Sequence, residues 1–142
     1  MSSNRKLIAL PIILVFLTTS FILSFVIYKK AILTTNNTED DFHIYINLLI
    51  FNVCFTGIMI INTFFILVCS IHDFKAVTYL LSLVLIICLI VDIYFSNSIY
   101  EKLTNYTPNS LDCLFVSTML ILLTLMLSIV NSIFMCIEYM RI

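Results

Sequence analysis

Polar side chains set inside long apolar runs are where this 142-residue chain could do chemistry. A bilayer supplies no water there, so each such group must find a partner within the protein. Asp92 is the sharpest case, sitting in Leu89-Ile90-Val91-Asp92-Ile93-Tyr94-Phe95. A carboxylate at the bilayer centre costs about 2.5–3.5 kcal/mol on translocon scales. Its spacing from the polar stretch that begins at Ser96 places it about one turn from the expected end of its helix. Two readings follow: an interfacial acid that marks the helix end, or an intramembrane site for a proton or cation. Asn52, Thr56, Met59 and Thr63 recur at spacings of four, three and four, which puts them on one helical face. Ser117, Thr124, Ser128 and Asn131 do the same further on, at spacings of seven, four and three. Such small and hydrogen-bonding residues let transmembrane helices approach closely and bond across the contact. A polar path between helices is the competing reading.

Other chemistry finds few residues to build on. Five cysteines, Cys54, Cys69, Cys88, Cys113 and Cys136, lie within or at the edge of apolar runs. Their odd number and spread do not describe a disulfide framework, so they read as small packing residues. Palmitoylation of Cys69 or Cys136 is the alternative. No Cys/His spacing matches a metal site, and no cofactor is expected. His72, in a short connection, reads as a solvated residue. Glycine-rich phosphate loops, Gly-x-Ser-x-Gly and His-Glu-x-x-His do not occur, so an enzyme is disfavoured. A potassium-filter sequence and an arginine-rich voltage sensor are likewise missing.

The elements that must position these residues are four apolar runs, Leu7–Tyr28, Ile44–Ser70, Ala76–Phe95 and Leu111–Ile137. Each is at least about 20 residues long, enough to cross a hydrocarbon core of about 30 Å as a helix. The composition agrees: 62% hydrophobic, 11% charged, with mean hydropathy +1.15. Soluble domains carry about 25% charged residues. We therefore expect an all-α integral membrane bundle of four antiparallel transmembrane helices forming one domain over residues 1–142. A net charge of −1 gives no reason to expect nucleic acid as a partner. The bilayer is the expected partner, with other membrane proteins or a second copy also open.

Punctuation between the runs is sparse. The first run ends in Tyr28-Lys29-Lys30 and lacks a small-residue cleavage site, so it reads as a retained anchor helix. Pro11 lies near its expected start, where a missing amide hydrogen costs least. Thr56-Gly57 is the place where a backbone could approach most closely. A short link at 71–75 forces the second and third runs into a hairpin. Before the fourth, Ser110 or Asn109 could cap the helix, with Asp112 at the positive end of its dipole.

Four spans place both termini on one side. Arg5, Lys6, Lys75 and Arg141 share that side, against Lys29, Lys30 and Lys102 on the other. The positive-inside rule leans slightly toward cytosolic termini. Asn-x-Thr sequons at Asn36 and Asn105 fall on the opposite side, which agrees.

The layout resembles the tetraspan class, with its short link between the second and third helices and modest outer loops. Claudins would need tryptophan and paired cysteines in the first loop, and tetraspanins a large second loop with Cys-Cys-Gly. Neither pattern is present. The closest likeness is to MARVEL-type four-helix domains, through compact loops and length. That resemblance implies work in membrane organisation, trafficking or complex assembly, without catalysis. The alternatives are a small transporter or pore subunit using Asp92 and the polar faces, or an accessory subunit of a larger membrane complex.

Overall fold

Four helices follow one another: α1 (Ser2–Leu33), α2 (Asp40–Ile71), α3 (Lys75–Tyr106) and α4 (Leu111–Met140), with a 3-10 turn at Pro108–Ser110. The computed structural model describes residues 2–33, 40–72, 74–106 and 108–140, and not the side chains of residues 2–8, 40–42, 105, 106, 108 and 139. Each helix contains a segment long and apolar enough to cross a membrane: Ala9–Leu33, His43–Ile71, Lys75–Thr104 and Leu111–Glu138. In lipid a helix satisfies its own backbone groups, which is why such runs adopt no other form.

Two boundaries differ from the sequence expectation. The third helix does not stop near Phe95 but continues to Tyr106. Residues 96–106 are polar yet contain neither Gly nor Pro, so loss of hydropathy alone does not end the helix. Pro108 does, because the residue before a proline is pushed out of the helical region. Pro11 lies inside α1, nine residues after Ser2, rather than at its start. Its side chain is exposed, and membrane helices tolerate an interior proline better than soluble ones.

A tight turn joins α2 to α3. The Phe74 amide donates to the Cys69 carbonyl at 3.0 Å and the His72 amide to Val68 at 3.2 Å. The Thr78 hydroxyl then donates to the Phe74 carbonyl at 2.6 Å. These bonds satisfy carbonyls at the end of α2 and start α3 in the opposite direction. Consecutive helices pack against each other, and α1 against α4 closes the ring.

The inward positions follow a seven-residue repeat. On α1 they are Leu10, Ile13, Leu17, Ser20, Ser24, Ile27 and Ala31, alternating steps of three and four. On α2 they are Tyr45, Leu49, Asn52, Thr56, Met59, Thr63 and Ile66. On α3 the series runs Thr78, Ser82, Leu85, Leu89, Asp92, Ser96, Ile99 and Leu103. On α4 it is Ser110, Leu114, Ser117, Ile121, Thr124, Ser128, Asn131 and Met135, with Ser132 beside it. Such spacing is that of knobs-into-holes packing in a left-handed supercoil. Interhelical bonds set the register: Ser24 with Asn52, Ser20 with Ser117, and Ser82 with Ser132.

Polarity is inverted relative to a soluble domain. Among the described residues, 16 hydrophobic side chains are buried against 15 polar or charged ones. Outside, Val15, Ile58, Ile87 and Met126, one from each helix, are all more than half exposed. A surface of that kind requires lipid around it. Phe64 and Phe65 also face outward. Gly57 does not mark an unusually close approach, since a Cβ there would meet the Phe21 ring at an ordinary 3.5 Å.

The antiparallel path can be read by accessibility. In a cysteine-free background, His72→Cys and Asn109→Cys should label with a membrane-impermeant maleimide from opposite faces of sealed vesicles. Labelling of both from one face would contradict the four-span path.

Candidate functional site

Asp92 lies 17 residues after Lys75 and 14 before Tyr106, so it occupies the middle of α3. It is only 2% exposed. The reading of an acid at the helix end is therefore corrected: the helix outlasts its apolar run, and the carboxyl faces the bundle interior. Tyr94 is likewise central and faces outward.

The repeat sorts the inward residues into successive layers roughly 5 Å apart, from about 3.5 residues at 1.5 Å rise. Midway along the bundle the inward positions are polar on every helix: Ser20 and Ser24 on α1, Asn52 and Thr56 on α2, Asp92 and Ser96 on α3, and Ser117 on α4. These residues form a slab that separates two hydrophobic clusters. Ile27, Ala31, Tyr45, Leu49, Ile99, Leu103 and Leu114 pack on one side. On the other, a larger cluster includes Leu17, Met59, Leu89 and Ile121. The polar slab thus sits between two dry ends, near the middle of the first three spans and toward the start of the fourth.

Within the slab the helices bond to one another. The Asn52 amide nitrogen Nδ2 donates to Ser24 Oγ at 3.1 Å, linking α2 to α1. Ser20 and Ser117 share a hydrogen bond of 2.8 Å, linking α1 to α4. Thr56 returns its hydroxyl proton to the Asn52 carbonyl at 2.8 Å, within its own helix. That back-bonding satisfies a hydroxyl where no water is present. Two acceptors remain open: Asn52 Oδ1 and Asp92 Oδ1 are buried without a hydrogen-bond partner.

A second polar zone lies nearer the α2–α3 turn. Ser82 and Ser132 bond at 2.5 Å between α3 and α4. Thr63 and Thr124 donate to carbonyls one turn earlier on their own helices. Ser128 and Asn131 are buried there as well, and Ser128 Oγ lacks a partner. All eight intramembrane residues singled out from the sequence thus face inward, but they divide between two zones. Asn52, Thr56, Asp92 and Ser117 belong to the mid-bundle slab, and Thr63, Thr124, Ser128 and Asn131 to the lower half.

Sequence reasoning missed Ser20, Ser24, Ser82 and Ser132, scattered serines in apolar context, and Ser96, the first residue of a polar stretch. Their signal was the three-and-four spacing to Leu10, Leu17, Leu85 and Leu89. Ser110 is buried at the start of α4, yet its hydroxyl makes no bond, so it does not cap the helix. Asp112 does stand in the first turn. All five cysteines are free. The sequon residue Asn36 lies outside the described residues, and Asn105 is in the last turn of α3 with its side chain outside them. Among the described residues no three of His, Cys, Asp and Glu converge as a metal centre.

Among the described residues, shallow apolar clefts open on the outer surface. One, of about 370 Å³, is lined by Ala76, Tyr79, Leu80, Leu83 and Cys136. Another, of about 300 Å³, is lined by Ile44, Asn47, Leu48, Phe51 and Phe95. Both face the lipid side of the bundle.

If the slab holds α1 to α2, a double-mutant cycle on Ser24→Ala and Asn52→Ala should show coupling of about 0.6 kcal/mol, and no more than about 1.7. Unfolding in mixed micelles would read it, and strictly additive losses would contradict it. Compared with protein-family models, with curated proteins and with solved structures, the chain matches none.

Proposed function

We propose that this multi-pass bundle is a non-catalytic organising protein, acting through its helices on lipid and on other membrane-embedded chains. The supporting observation is the direction of its polarity. Polar groups turn inward and bond helix to helix, as in Ser20–Ser117, Asn52–Ser24 and Ser82–Ser132. The outward faces are left almost wholly to side chains such as Val15, Ile58, Phe65, Ile87 and Met126. Serine, threonine and asparagine used in this way hold helices together, which is a packing role. The apolar exterior, with its clefts, is the surface available to acyl chains and neighbouring spans. The architectural likeness to MARVEL-type domains points the same way, toward membrane organisation, trafficking or assembly.

Orientation belongs to the same reading. The start of α1, the α2–α3 turn and the end of α4 share one side, which we assign to the cytosol on the modest lysine and arginine excess there.

Reconstitution tests this against the transport reading. Sealed liposomes containing the protein should show no proton, sodium or potassium flux above that of protein-free vesicles. Extraction into native nanodiscs should yield particles larger than one chain, containing a second copy or another membrane protein. Flux abolished by Asp92→Asn, or a uniform single-chain particle, would overturn the proposal.

A further inference from the structure

The mid-bundle slab contains two open acceptors, and among the described residues only hydroxyls stand near them as donors. Asn52 commits its amide nitrogen to Ser24, so its Oδ1 can only accept. Asp92 Oδ1 is also an unpartnered acceptor, and an ionised carboxylate has no hydrogen to give. The two residues are 5% and 2% exposed, on helices packed against each other. Phe95 of α3 packs its ring on Phe51 at 4.9 Å and on Phe55 at 6.3 Å, so residues 92–96 lie across from residues 52–56. A carboxylate buried at this level is uncompensated unless something electropositive lies beside it.

Among the described residues no cationic side chain fills that role. On α2 the described residues hold one titratable side chain at this level, Cys54, and it faces outward. On α4, Cys113 and Cys136 stand near the two ends. On α1 the nearest charges are Lys29 and Lys30, exposed at the helix end. On α3 itself, half-buried Cys88 lies one turn earlier. Buried hydroxyls lie in the same slab, on Ser20, Ser96 and Thr56. An acid, an amide oxygen and hydroxyls without nitrogen or sulfur form a hard-oxygen set, suited to a small hard cation.

We propose that Asp92 and Asn52 form an intramembrane binding site for one small monovalent cation, a proton or a sodium ion, that locks α2 to α3. The occupant neutralises the carboxylate and satisfies both open oxygens. The site requires no transport, so it stands apart from the organising role: ion flux would overturn that role and leave this site in place.

Thermal unfolding of the full chain in lipid nanodiscs tests it. One arm varies sodium at fixed pH, with choline holding ionic strength constant. The other varies pH without sodium. A cation that binds only the folded bundle raises Tm as its activity rises, following a one-site curve. A sodium response identifies sodium, and a response to pH alone identifies the proton. Either response should vanish in Asp92→Asn, and Asn52→Ala should weaken apparent affinity by about tenfold. If Asp92→Asn does not fold, Asp92→Glu must keep the response with a shifted midpoint, and Asn52→Ala carries the loss. Absence of both responses in the wild type, or a response unchanged by Asn52→Ala, overturns the proposal.

Discussion

A polar group in lipid has no solvent to fall back on, and that constraint organises every part of this bundle. Each unsatisfied group costs several kcal/mol in the hydrocarbon region. The backbone answers by forming helices of 30 to 32 residues whose bonds close within the segment. Side chains answer by turning inward. Serine, threonine and asparagine therefore occupy core positions that leucine or valine would fill in water, while apolar side chains cover the outside. Thr18 and Thr19 face outward and meet the same demand differently, donating to the Leu14 and Val15 carbonyls of their own helix.

Packing geometry then follows from where those side chains fall. Hydroxyls and an amide at seven-residue spacing put polar partners at matching levels on neighbouring helices, so a bond such as Ser82–Ser132 also fixes register. Apolar layers above and below leave the slab no alternative partners. Leu49, Ile99 and Leu114 close one side, and Met59 and Leu89 the other. A slip by one layer would set Asp92 against leucine or methionine, so polarity acts here as a register device as much as a source of stability.

Much of this was legible in the sequence, and what was not has physical causes. Hydropathy located all four helices because spans must be continuous and apolar. The faces bearing Asn52, Thr56 and Thr63, and Ser117, Thr124, Ser128 and Asn131, stood out because several polar residues recur at helical spacing. The place of Asp92 within its helix was misread because hydropathy drops at Ser96, whereas the helix continues to Tyr106. Isolated serines on α1 and α3 carried little weight individually. Only the partners across the bundle, Ser117 for Ser20 and Asn52 for Ser24, reveal them as one polar slab. A site assembled from four separate helices has no contiguous motif.

The inward-facing polar slab is tested most directly by oxygen accessibility of spin labels placed one at a time along residues 86–103 of α3 in lipid bilayers. Minima at 89, 92, 96 and 99, with maxima near 87, 90 and 94, are expected from the seven-residue repeat. A profile in which position 92 is as accessible to oxygen as position 94 would show Asp92 facing lipid and contradict it.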